Sequence, residues 1–229
     1  MSKNILITGC SSGLGLALTN LYLEKGFNVY GISRSKPNIN NKNFFYKSFD
    51  LSETSKIKKE LRTFILSIKD IEIVYLNAGM LGEIKSTFDI ELEELKEVYE
   101  LNVYTNKEIL DILSNINPKI VIAISSGASK NGSKGWASYS LSKAGINMLI
   151  NLYSNEMERT KLYAIAPGVI ETPMTDYIRF DIDDNIFTSA KRLKEGEIQV
   201  PSEAAKRIDS LLDIITKQES GSFLDVREI

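Results

Sequence analysis

Six short apolar runs recur along the chain, each separated from the next by a longer stretch or a polar break. They are residues 4–8 (NILIT), 28–33 (NVYGIS), 44–49 (FFYKSF), 71–76 (IEIVYL), 119–125 (KIVIAIS) and 161–166 (KLYAIA). Several are apolar at nearly every position rather than at every second one, which marks strands covered on both faces. Helical stretches lie between them. One covers 14–25 and stops at Gly26; a second runs from Ser52 to about Ile68; a third, acidic early, spans 89–113 and ends before Pro118. Residues 137–159 are apolar nearly all round, and 202–216 follow Pro201. A final run, 222–226 (SFLDV), supplies a seventh strand. This alternation predicts an α/β fold: a doubly wound, seven-stranded, mainly parallel sheet with helices on both faces, all in one domain over 1–229. The one long irregular region, 174–200, reads as a substrate lid.

Composition narrows the function. With 229 residues, 43% of them hydrophobic, the chain can bury one substantial core. Net charge is -2 and the basic residues are interspersed with acids, so no nucleic-acid surface is expected. Cys10 is the single cysteine and there is no histidine, which argues against a disulfide framework and a transition-metal site. The opening run is too short for a signal segment and no apolar stretch approaches a membrane span. A reducing, cytoplasmic setting is therefore expected, with no membrane contact.

Between the first strand and the first helix lies LITGCSSGLG, with Gly9, Gly13 and Gly15 around a tight turn. Glycines let the backbone turn sharply and approach a phosphate, and a helix N-terminus favours the anion. A turn that needs glycine for its own geometry is the other reading. The second strand ends in Ser33 and Arg34, where dinucleotide folds often carry an acid for the adenosine ribose. An arginine there would pair with a 2′-phosphate, helped by the Ser12 hydroxyl; alternatively Arg34 is a solvated surface charge. Cys10 reads as a packing residue, because the loop offers it no base.

The stretch YSLSK places Tyr139 and Lys143 four residues apart, on one face of a helix. Such pairs usually pack a ring under an alkyl stem. In a chain without histidine, they are also the available acid–base pair.

Taken in order, the motifs resemble those of the short-chain dehydrogenase/reductase family, in its NADP-preferring, carbonyl-reductase-like branch. TGCSSGLG (8–15) looks like the cofactor turn, with Gly9, Ser11, Ser12, Gly13, Leu14 and Gly15 as contacts. Asp50 and Leu51 follow the third strand where the family meets adenine, and NAG (Asn77, Ala78, Gly79) looks like the motif that stabilises the central sheet. Asn102 matches the helix asparagine of the catalytic tetrad, and Ser126 precedes Tyr139 by a typical family spacing. PGVIET (167–172) looks like the segment behind the nicotinamide, with Pro167, Gly168 and Val169 beside it and Thr172 on the carboxamide.

The resemblance implies a Rossmann-type fold, NADP(H) rather than NAD(H), and hydride transfer to a small carbonyl or from an alcohol. It implies Tyr139 as general acid/base, with a pKa drawn towards neutrality by Lys143 and the nicotinamide. Lys143 would also hold the nicotinamide ribose, Ser126 would polarise the substrate oxygen, and Asn102 would hold a relay water. A pocket for a small ketone or diketone is expected from Met80, Leu81, Ala128, Trp136, Val169, Met174, Tyr177 and Phe180, with polarity from Ser133 and Lys134. Trp136 reads as pocket wall or as core. The surplus apolar surface of 137–159 predicts a homodimer or homotetramer. The rival function is a non-catalytic, NADP-binding redox-sensing regulator, which would not require the tetrad.

Overall fold

The computed structural model describes residues 3–229. Seven strands form one sheet in the order β3-β2-β1-β4-β5-β6-β7. They are β1 (Asn4–Thr8), β2 (Asn28–Ser33), β3 (Phe44–Ser48), β4 (Ile71–Leu76), β5 (Ile120–Ile124), β6 (Lys161–Ala166) and β7 (Phe223–Asp225). Every neighbouring pair is parallel. The sheet is thus wholly, not mainly, parallel.

The helices are α1 (Gly13–Glu24), α2 (Thr54–Leu66), α3 (Leu92–Tyr99), α4 (Thr105–Leu113), α5 (Ala137–Ser154), α6 (Pro173–Phe180), α7 (Thr188–Glu195), α8 (Pro201–Ser210) and α9 (Leu212–Ile215). Strand alternation sorts the side chains into two cores. Leu6, Val74 and Leu76 turn to one face, with Leu61, Ile65, Ile109, Ile112, Ile146 and Ile150. Ile5, Ile7, Ile73 and Tyr75 turn to the other, with Leu18, Tyr22, Ala205 and Ile208. Both faces being covered explains why these strands lack polar alternation.

Three elements differ from the sequence expectation. Residues 89–113 are not one uniform helix: a short 3₁₀ turn covers Thr87–Asp89, and α3 joins α4 through a π-helical turn at Glu100–Tyr104. Region 174–200 is not irregular, because α6 and α7 occupy much of it. Their apolar positions follow helical spacing, Met174, Tyr177 and Ile178 on α6, then Phe187, Ala190 and Leu193 along α7. These pack with Leu81, Ile84, Ile182, Trp136 and Tyr139 in a third, small cluster. A short helix with one narrow buried stripe reads as loop when its polar residues dominate. Finally, 137–159 is helical only to Ser154, and it is not buried all round: Leu141, Met148 and Leu152 are about half exposed.

Strand order reverses between β1 and β4. In such sheets the carboxyl ends of the strands at the reversal open a crevice. The turn after β1, residues 33–35 at the end of β2, 50–51 after β3, 77–79 after β4, 125–126 after β5 and 167–170 with Thr172 after β6 all lie along that edge and line one cavity of about 860 Å³.

Candidate active site

The glycine turn is built by exclusion of side chains. Gly9 and Gly13 have φ of +68° and +50°, conformations that L side chains rarely adopt. A Cβ on Gly15 would collide with the Gly9 carbonyl oxygen, so α1 sits hard against the turn. A Cβ on Gly13 would come within 3.0 Å of the Thr172 methyl, so the segment after β6 closes over the turn. Asn77 locks the base of the crevice: its Nδ2 donates to the Thr8 and Gly9 carbonyls at 3.0 and 3.2 Å, and its amide donates to Thr8 Oγ1 at 2.9 Å. The amide of Ala78 donates to the same hydroxyl at 3.1 Å. Gly9, Ser11, Ser12, Gly13, Leu14, Asp50, Leu51, Ala78 and Gly79 all line the cavity.

At the far end, Arg34 is exposed and lines the cavity beside Ser33 and Ser35. The Ser33 hydroxyl is less free than expected, since it is buried and donates to the Ser35 carbonyl at 2.9 Å. Glu53 pairs with Lys56 at 2.7 Å on α2. The nearer carboxylate is Asp50, held below the usual range mainly by hydrogen bonds from Ser52, with a further contribution from the Arg34 charge.

At the reacting end, α5 presents Tyr139 and Lys143 on one face, and Lys143 Nζ lies 5.4 Å from the Tyr139 ring centroid. Nζ donates to the Ile124 carbonyl at 2.7 Å. Ser126, at the end of β5, hydrogen-bonds the Tyr139 phenol and accepts from the Ala128 amide at 3.1 Å. Behind it, Ser125 Oγ donates to Asn147 Oδ1 at 2.6 Å, Asn147 Nδ2 donates to Ser129 Oγ at 2.8 Å, and Ser129 Oγ donates to the Ser126 carbonyl at 2.7 Å. Sequence reasoning missed this bracket, whose polar spacing carries no motif.

Burial dominates the titration. It pushes the Tyr139 phenol up to about 12, opposed by the Ser126 hydrogen bond, and pulls the Lys143 ammonium down to about 8. In the protein alone, desolvation of tyrosinate outweighs the Ser126 hydrogen bond; the pull towards neutrality expected from Lys143 acts together with the nicotinamide.

Asn102 stands on the π-helical turn. Its side chain bonds the Met80 amide and carbonyl, both at 2.8 Å, and Ser142 Oγ at 2.9 Å. Its carbonyl accepts from Asn106 Nδ2 at 2.8 Å. Asn102 is thus a clip on the 77–80 loop, and a relay water would have to use the second lone pair of that carbonyl. A Cβ on Gly79 would lie 3.1 Å from Asn102 Oδ1 and 3.4 Å from Lys143 Nζ, so the bare glycine lets both groups approach.

The substrate-side expectations divide. Met80, Trp136, Val169 and Met174 line the main cavity; Ala128 and Ser133 line a second one of about 640 Å³ that shares Ser126, Trp136 and Val169 with the first. Leu81 and Tyr177 pack in the lid cluster. Phe180 is 72% exposed, and Lys134 lies over the Phe187 ring, so neither lines a cavity. Trp136 is both wall and core: it lines both cavities, meets Tyr139 edge-on at 6.0 Å, and donates from Nε1 to Ser189 Oγ on α7 at 2.5 Å. Thr172 caps α6, accepting from the Thr175 amide at 3.3 Å, which competes with any bond to a carboxamide. Pro167 and Gly168 line the main cavity beside it.

The family model for short chain dehydrogenases matches residues 3–183. Benzil reductase ((S)-benzoin forming) of Bacillus subtilis is 33% identical over 97% of this chain and 98% of its own length. The enzyme of the same name from Bacillus cereus is 32% identical over 92% of this chain and 94% of its own. Among solved structures, the YIR035C short chain dehydrogenase/reductase from Saccharomyces cerevisiae superposes with a TM-score of 0.85 at 26% identity, covering 98% of this chain and 96% of that one.

Proposed function

The chain belongs to the short-chain dehydrogenase family of oxidoreductases, and from that we propose that it is an NADPH-dependent reductase of small carbonyl compounds, with Tyr139 as its acid. The observation that carries this reading is the convergence at one end of the glycine-turn cavity of Tyr139, the Ser126 hydroxyl and the buried Lys143 ammonium. The two benzil reductases favour a ketone or diketone as substrate.

The residues present suit a dinucleotide. Gly9 and Gly13 leave the turn bare for a pyrophosphate, with the α1 N-terminus behind it. Asp50 and Leu51 flank the adenine end, Ser12 and Arg34 the ribose, and Tyr139, Lys143, Val169 and Thr172 the nicotinamide end. When bound, the reduced cofactor supplies the hydride that the carbonyl carbon takes up. Tyr139 donates its proton to the carbonyl oxygen as negative charge develops there. Ser126 hydrogen-bonds the same oxygen. The Lys143 ammonium stabilises the tyrosinate left behind and holds the ribose. Burial that keeps the phenol protonated suits reduction better than oxidation. Asn102 acts mainly by holding the Met80 loop against Lys143. The same reading takes 174–200, with α6 and α7, as the substrate lid of a single domain, and places the protein in the cytoplasm; among the described residues no helix is long and apolar enough to cross a membrane.

NADP is preferred in this reading because Arg34 stands at the ribose end with no carboxylate hydrogen-bonded to it among the described residues; Asp50 is engaged by Ser52 and Glu53 by Lys56. The test is a carbonyl screen, including benzil, with NADPH and NADH, on the parent and Arg34→Ala. Reduction with NADPH favoured by about tenfold to a hundredfold, the worth of one charge-assisted hydrogen bond, and lost in the variant, is the expected result. No reduction of any carbonyl with either cofactor would reject the activity, and a parent preferring NADH would reject the cofactor.

A further inference from the structure

Beyond Ser126, away from the glycine turn, the second cavity is lined by three guanidinium groups, those of Arg192, Arg207 and Arg227. The apolar and aromatic lining expected around the substrate does not account for them. Two are held in place by the fold. Arg227 follows β7 and is gripped by the buried Asp225 through Nε to Oδ1 at 2.9 Å and through a terminal nitrogen to Oδ2 at 2.5 Å. Arg207, on α8, donates to the Val226 carbonyl at 3.0 Å. Arg192, on α7, is exposed; its guanidinium reaches Ser133 Oγ at 3.3 Å, and among the described residues it has no ion pair.

The cluster lies close to the reacting end. A Cβ on Gly127, the residue after Ser126, would stand 3.7 Å from an Arg227 terminal nitrogen. A Cβ on Gly168 would run into Gln199 Nε2 at 2.7 Å, so the bare glycine with φ of +87° makes room for that amide, with Arg227 Cδ in ordinary contact range at 3.7 Å. Arg227 is paired with Asp225 and also faces Glu228, and Glu197 lines the cavity too, whereas the Arg192 guanidinium has no ion pair among the described residues. A single monoanionic group would balance it, and planar guanidinium forks match a carboxylate best.

We propose that this cavity is an anion-binding arm of the substrate site, and that the carbonyl compound this chain reduces carries a carboxylate on the substituent that passes Ser126. The inference rests on the carbonyl-reductase reading and narrows it, since benzil, for which the two Bacillus reductases are named, carries no such charge. Arg227 and Arg192 are specificity-determining residues in this arm, with Arg227 held ready by Asp225 and Arg192 brought in by α7.

The test uses benzoylformate and its methyl ester, the same aryl ketone with and without the charge. We expect the ratio of kcat/KM for the acid to that for the ester to fall about tenfold to a hundredfold in Arg192→Gln, Arg227→Gln or both, the scale of one charge-assisted hydrogen bond. A fall in one variant alone upholds the arm and assigns it to that arginine. A ratio unchanged within about threefold in both overturns the arm and leaves carbonyl reduction standing. Arg192 is exposed and has no ion pair among the described residues, so its replacement does not threaten folding, whereas Arg227 also neutralises Asp225. Calorimetric titration with each compound separates this inference from the broader reading. If the parent reduces neither compound yet binds benzoylformate more tightly than the ester, and the variants lose that difference, the arm stands and the reductase reading fails. Equal or absent binding of the two overturns the arm.

Discussion

Tyr139 and Lys143 show how far burial can change a residue's chemistry. Both are ordinary helix residues four apart, and burial drives both towards their uncharged forms, Tyr139 up to about 12 and Lys143 down to about 8. In Tyr139→Phe the ring and its packing remain but the proton is gone. Reduction should fall by roughly 10²-fold or more while cofactor binding stays near the parent's, as steady-state kinetics and a binding titration would show; turnover within a few-fold of the parent would remove Tyr139 from the mechanism. The pH profile should follow Lys143. Tyr139 stays protonated throughout the working range, so kcat/KM for reduction should be level below about pH 7 and decline as the ammonium loses its proton above about 8. A profile level to pH 10 would contradict the role given to that charge. The same depression has a sign for stability. Between about 8 and the ordinary lysine value, the unfolded chain binds more protons than the folded one, so this residue makes stability rise with pH across that window. Below it the full burial penalty applies. At pH 7, Lys143→Met should therefore stabilise the fold by about 2 kcal/mol, a penalty of about 3 offset by about 1 for the orphaned Ile124 carbonyl. Urea unfolding measures it, and the variant should be inactive.

At the scale of elements, the turn between β1 and α1 is set by contact as much as by backbone torsion. Gly15 has no unusual φ, yet a Cβ there would strike the Gly9 carbonyl and approach Asn77 Nδ2 at 2.5 Å. Gly26, just after α1, has φ of +79° and open space around it. Gly15→Ala should displace the turn, costing about 2–3 kcal/mol as overpacking does, and weaken dinucleotide binding. Gly26→Ala should cost about 1 kcal/mol from torsion alone and leave binding intact. Equal effects on binding from the two would show that the turn tolerates a side chain. The π-helical turn between α3 and α4 is a second device of this kind, because the extra residue per turn brings Asn102 round to Met80 and Ser142.

For the whole molecule, the exposed apolar residues of α5 fall on one stripe. Leu141, Met148 and Leu152 are seven and then four residues apart, and each is about half exposed. Tyr104, at the end of the π-helical turn, is 48% exposed. A second copy of the chain related by a two-fold axis would cover this stripe, so we expect a homo-oligomer rather than a 25.7 kDa monomer in sedimentation at micromolar concentration. Met148→Glu with Leu152→Lys should shift the population towards monomer. A parent that sediments only as a monomer would mean that the stripe is left to solvent.

The layout of the sheet was legible along the chain because strands buried on both faces must be apolar throughout, and residues 4–8, 71–76 and 161–166 are. The glycine turn and the placing of Tyr139 and Lys143 on one helix face were legible too, since a turn that excludes Cβ atoms and a helix that presents two residues together both require particular residues at local spacing. Three things needed the tertiary structure. The helices of 174–200 are held by a narrow apolar stripe that only Trp136, Leu81 and Ile84 make meaningful. The titration of Tyr139 depends on how much surrounding protein excludes water, which no local pattern records. Arg192, Arg207 and Arg227 come from α7, α8 and the segment after β7, and their charges act together only because the sheet order sets β7 beside β6 and brings that segment back to Ser126. Local spacing encodes what one element can present; long-range packing decides which distant charges share a cavity.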